Sequence, residues 1–228
     1  MNILDARILL KRSTTAGVTP TIPVSSSHTD GSWINTDIYS GEAFVNTTDQ
    51  RMFVRTGANI QEIPFQTRYI GESYGGGVIF HTYKGSDNLQ HGLICSIVDQ
   101  STSSQFSNII IQSVGTTTTW NGQANTNLMK AQTGATSGAW KLADDYSYSG
   151  FTDWYLPAID ELNLLFNNRF NVNKTLATIG GATEFRYYSY WCSSEEDSDT
   201  GIYLNFGNGV SNFTLKDSLY RVRAIRQF

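Results

Sequence analysis

Charge is in short supply in this sequence. Lys, Arg, Asp and Glu make up 16% of its 228 residues, against about 25% in an average soluble domain. The net charge of −4 argues against nucleic acid or an anionic membrane surface as the partner. Cysteine is nearly absent, and Cys95 and Cys192 alone are too few for a disulfide framework or a zinc site. Both fall in segments read as strands, which suits two buried reduced thiols; a bridge between distant strands is the alternative, disfavoured by a cytoplasmic folding compartment. No apolar run approaches the roughly 18 residues of a membrane span, so no membrane insertion is expected. The opening MNILDARILLKRS carries Asp5 and no apolar stretch long enough for a signal peptide, so the chain is expected to be made and folded in the cytoplasm. Three histidines, His28, His81 and His91, share no spacing that builds a metal or triad site. No cofactor and no metal is expected.

Ser, Thr, Asn and Gly fill the deficit, together with 12 Tyr, 12 Phe and 5 Trp. A surface of this kind is polar but uncharged, as in virion proteins, adhesins and many secreted β-proteins. Residues 1–64 read as a β-rich module of their own. ILDARILLK alternates weakly, and the two prolines of TTAGVTPTIP suit an extended arm. SSSHTDGSW is a loop, and EAFVN and RMFVRT form a hairpin across TTDQ at Thr47 to Gln50. A module this small struggles to bury enough surface alone, and its apolar faces at Phe44, Phe53 and Val54 invite pairing with copies of itself.

Gln61 to Tyr69 reads as the joint, and residues 65–228 as the second domain. Gly75 to Gly77 permit close chain approach before a strand at Val78 to Tyr83. Glycines ahead of a strand are in the wrong order for a phosphate loop. A strand follows at His91 to Val98, then a long polar excursion over Ser101 to Thr119. Asn125 to Asp145 is expected to be helical, split by Gly134 and Gly138. After Gly150, the strand formers Trp154, Tyr155 and Leu156 run into a helix entered through Pro157. Asp160 and Glu161 lie near the positive end of its dipole, and Leu162, Leu165 and Phe166 form its apolar stripe. From Tyr187 onward the chain is strand and turn, with no internal repeat.

HGLICS from His91, GFTDWYLP from Gly150 running into DELNLL from Asp160, YWCSSEE from Tyr190, NFGNG from Asn205 and VRAIR from Val222 occur in that order. Together they resemble the C-terminal domain of a collagen-like bacterial adhesin (the Lcl C-terminal type), over roughly Gly71 to Phe228. The resemblance implies a C-type-lectin-like fold, and hence an α+β class with two helical regions around a twisted antiparallel sheet. Ala158 departs from the capping Ser of the relatives, which implies a lost capping box with Glu161 and a cost of about 1 kcal/mol. The region from Asp30 to Ile63 resembles the small β-rich modules of bacteriophage fibres, which are usually trimers.

Among chemistry-bearing residues, Asp160 and Glu161 are adjacent on one helix start and form no glycosidase pair. Glu195, Glu196, Asp197 and Asp199 read as a solvated acidic loop, with calcium the alternative; the EF-hand pattern is missing. The segment from Tyr187 to Phe213 mixes tyrosines with Asn and Ser, a combination that gives rigid contact area and adaptable hydrogen bonds. Tyr203, Asn205, Asn208 and Asn212, with Tyr188, are the candidate ligand contacts, whereas Trp191, Phe206 and Trp154 are expected in the core. The expectation is a non-enzymatic virion fibre or decoration protein, a homotrimer assembled in the host cytoplasm. Its N-terminal module would bind another virion protein and its second domain a host surface glycan or receptor. A bacterial cell-surface adhesin is the alternative, and an enzyme on a lectin-like scaffold a third reading.

Overall fold

The computed structural model describes residues 11–24, 34–48, 51–64, 67–87 and 89–228. The weakly alternating start, the loop 25–33 with His28, and the last two residues of the Thr47–Gln50 connection lie outside them. The chain divides into two compact units, 1–67 and 68–228.

The first unit carries one four-stranded sheet, ordered β1 (Lys11–Ser13), β2 (Ala43–Asn46), β3 (Arg51–Thr56), β4 (Asn59–Pro64). β2 and β3 form the expected hairpin, with Phe44 opposite Phe53. These two rings meet edge to face 6.3 Å apart and are buried with Ile38 under Val18 and Ile60. One copy therefore covers its own phenylalanines, and the reason seen in the sequence for pairing them between copies does not hold.

The second unit is built on two further sheets. One is ordered β11 (Ser211–Leu215), β10 (Thr200–Asn205), β9 (Ser189–Glu195), β12 (Tyr220–Val222), β8 (Ser101–Ser104). The other is ordered β13 (Ile225–Gln227), β7 (Gln90–Ser96), β6 (Gly77–Lys84), β5 (Ser73–Tyr74). Three helices complete the unit: α1 (Gly122–Ala131), α2 (Ala139–Asp144) and α3 (Ile159–Leu176). The expected α+β lectin-like class is thus corrected to a β-rich fold: among the described residues there are three sheets, with strand over 33% of them and helix over 17%. Two causes are visible. Segments read as loop or excursion supply strands of their own, and the helical region ahead of Asp145 yields only two short helices.

Alternation explains the layering. Val78 and Phe80 of β6, Leu93 and Cys95 of β7, and Tyr190 and Cys192 of β9 face one core, which α3 closes with Leu162, Leu165, Val172 and Leu176. Ile79, Ile94 and Trp191, the residues between them, face a second core with Met129 of α1 and Trp140 of α2. Both faces of these strands are buried, so their sequences read as continuous apolar runs. At Gly77 a Cβ would stand 2.1 Å from the Cys95 carbonyl oxygen, so no larger residue lets β6 approach β7. The Ser101–Thr119 stretch is less of an excursion than expected: β8 joins the five-stranded sheet, and Phe106 and Thr116 are fully buried. Of its three consecutive isoleucines, Ile109 to Ile111, only Ile110 and Ile111 are exposed.

Candidate functional site

β9 sets the geometry of the C-terminal surface. Its register with β10 places Tyr203 opposite Trp191 and Asn205 opposite Ser189, and the next register places Asn212 of the edge strand β11 opposite Tyr203. Tyr203 stacks on Tyr220 with ring centres 4.4 Å apart, and Trp191 meets both rings edge-on. Tyr203 is therefore half packing and half surface. Asn205 Oδ1 accepts from the Gly207 amide at 2.7 Å, and Asn208 Oδ1 accepts from the Val210 amide at 3.0 Å. Both amide oxygens hold the turn, leaving the Nδ2 donors outward. Asn212 Oδ1 accepts from the Phe213 amide at 2.8 Å. Residue 213 lies out of step with the bonded pairs of β10 and β11, so this amide points off the sheet edge, and Asn212 blunts that edge.

Tyr188 belongs to a different surface. The Arg221 guanidinium lies 3.5 Å over its ring, and Arg221 pairs in register with Tyr190, on the side of the sheet that α3 covers. The five expected contacts are thus divided: Tyr203, Asn205 and Asn212 on one face, Asn208 in the turn, Tyr188 on the other. Tyr187, 77% exposed, sits against Gly207 beside the turn and extends the first group.

Tyr188 and Arg221 line a cleft of about 260 Å³ with Glu184 and Arg186. Glu184 also lines a groove of about 490 Å³ along the second half of α3, with Phe170 and Lys174. The cleft wall is held from below. Asp99 accepts from Arg221 at 2.6 Å and from Arg223 at 2.8 Å, and buried Arg223 donates on to the Ser96 and Thr183 carbonyls. Asn173 bonds both backbone groups of Phe185 at 2.8 Å, tying α3 to the segment that carries Arg186. The cations were missed in the sequence because Asp99 and its arginines are more than a hundred residues apart.

Two acids behave differently from expectation. Glu195 is buried: Lys216 donates to it at 2.6 Å, and the amides of Val114, Gly115 and Thr116 gather on its carboxylate. Only Glu196, Asp197 and Asp199 remain on the surface as the acidic turn. Asp197 accepts from the Thr200 hydroxyl and amide, which lowers its carboxyl to about 2. Glu161 is buried as well. Its Oε2 accepts from the Ala158 and Gly122 amides at 2.8 and 3.0 Å, and its Oε1 from the Tyr155 hydroxyl at 2.9 Å. Half of the capping box therefore survives: Ala158 has no side-chain acceptor, yet Glu161 still reaches back to the N-cap amide. Among the described residues no group of three or more His, Cys, Asp or Glu is placed to hold a metal ion. Cys95 and Cys192 are free, and burial pushes both thiols up to about 12, which makes them poor nucleophiles at neutral pH. No helix among the described residues is long and apolar enough to cross a membrane.

The model of the Lcl C-terminal domain family matches residues 110–226, just over half of the chain. This chain belongs to the Lcl C-terminal domain family. The match takes in α1, α2, α3, the candidate contacts and both clefts. Among solved structures, a fimbrial protein from Bacteroides ovatus ATCC 8483 is similar at 20% identity and a TM-score of 0.47, over 61% of this chain. The chain spans about a third of that protein, 36% of its length. A search of curated proteins finds no match.

Proposed function

We propose that this chain is a displayed binding protein, a bacteriophage fibre or decoration protein whose Lcl C-terminal domain engages a host surface glycan or receptor. The observation that carries the reading is the Tyr187–Asn208 surface. An exposed tyrosine and a turn of outward amide donors stand beside the start of β9, a strand buried on both faces. Tyrosine offers a flat contact area with few rotors to freeze, and asparagine offers hydrogen bonds that suit hydroxylated ligands. Such a platform binds without rearranging. The first unit, with its own sheet, is the attachment module of this reading.

The test is binding of the purified chain to a broad glycan array and to host cells, with Tyr187→Ala and Asn208→Ala as variants. Retained melting with at least tenfold weaker binding supports the surface; unchanged binding in both variants overturns it. Family membership favours a second reading, a bacterial cell-surface adhesin using the same surface. Labelling of intact particles against intact cells with an antibody to this chain separates the two.

A further inference from the structure

We propose that the groove along the outer face of α3 seats the acidic turn of a second copy of this chain, joined head to tail. The chain is poor in charge, yet Arg169, Lys174, Arg186 and Arg221 all line the groove or the cleft that continues it, against the single acid Glu184. Lys174 and Arg186 are exposed and have no ion-pair partner among the described residues. Phe170, on the wall of the groove, has 72% of its surface exposed. The groove is an apolar anchor point flanked by unpaired cations.

The complementary surface is on the same chain at the far end of β9. Past Glu195 the turn presents Glu196 and Asp199, and the neighbouring turn presents Asp217, all exposed. The Lys216 amide bonds the Asp199 carbonyl, which holds the two turns together. Leu215 and Leu219 sit beside these acids with 53% and 60% of their surfaces exposed. The tip is thus apolar flanked by acids, the inverse of the groove. β9 has seven residues, so the two ends of the strand are about 20 Å apart, and one copy cannot satisfy its own groove. Different patches meeting make a heterologous contact, which repeats around a ring when the rotation closes. An acidic polymer in the groove is the competing occupant.

The test is made on the full chain with Ala177→Cys in the groove and Ser198→Cys in the turn; the two native cysteines are buried. Under mild oxidation the double variant is expected to give disulfide-linked dimers and higher species, and each single variant only monomer. Lys174→Glu with Arg186→Glu in that background is expected to abolish the cross-link. Adding Glu196→Lys with Asp199→Lys is expected to restore it, which excludes misfolding as the cause of the loss. No cross-link in the double variant, equal cross-linking in a single variant, persistence after groove reversal, or failure of the restoration overturns the proposal. Loss of the cross-link on adding dextran sulfate leaves it standing, whereas dextran sulfate bound by the groove with no cross-link at any concentration assigns the groove to the polymer.

Discussion

Glu161 and Glu195 are the residues whose roles sequence spacing hid. Each was legible as an acid at a helix start or in a loop, but the donors that surround it lie far away in sequence: Gly122 is 39 residues from Glu161, and Val114 is 81 from Glu195. Among the described residues no cation pairs with Glu161. Burial pushes its carboxyl up from 4.5 to about 7, against the pull of the Ala158 and Gly122 amides and the Tyr155 hydroxyl and with a smaller push from Asp160. The folded state therefore holds this proton more tightly than the unfolded chain. The stability it contributes is fully present below about 4.5 and is lost as pH rises through about 7. A shift of that size corresponds to about 3 kcal/mol. Thermal melting across this window is expected to fall with rising pH in the wild type and to flatten in Glu161→Gln. A slope that survives in the variant rejects the assignment. Lys216→Met tests the other acid. It leaves the Glu195 carboxylate buried without its cation, for a loss of about 3–5 kcal/mol in urea unfolding. Glu195→Gln in the same background removes the stranded charge and is expected to recover part of it.

At the scale of elements, the parts with a clear period were legible and the parts set by tertiary contact were not. The β2–β3 hairpin, the split helical region and the Pro157-led helix all follow from local pattern. The amount of sheet does not, because β8 is four residues of Ser and Thr that become a strand only against β12. The start of α3 shows the same dependence. Its second amide finds the Thr119 carbonyl at 2.7 Å, and its first points to Ser194 Oγ at 3.4 Å. Neighbouring segments thus supply what the capping Ser would have, and Ala158→Ser is expected to add less than the usual cap of about 1 kcal/mol. Trp154 lies on the segment feeding α3, 1% exposed, with its indole N–H donating to the Phe151 carbonyl and Tyr146 packed edge-on at 5.1 Å. Trp154→Ala is expected to cost about 3–5 kcal/mol, read as a lower melting temperature. A variant that melts like the wild type but binds less makes Trp154 a contact instead.

The whole molecule joins two units of very unequal core. The second unit closes two buried clusters, one on each side of its sheets. The first has three buried apolar side chains, Ile38, Phe44 and Phe53, among its described residues. A core that small supplies little hydrophobic stabilisation against the chain entropy of a unit this size. Its phenylalanines are already covered, so exposed phenylalanine faces no longer argue for association; the deficit in buried area still does. Association that binds only the folded form raises stability in proportion to the logarithm of protomer concentration. Calorimetry of the full chain is therefore expected to show two transitions. The lower is assigned to the first unit and is expected to move up as concentration rises over two decades, and to vanish from a chain beginning at Arg68. The upper is expected to persist in that shortened chain, since its buried clusters involve only residues beyond Arg68. A lower transition that ignores concentration assigns the first unit a stability of its own and removes the case for it as the oligomerising part.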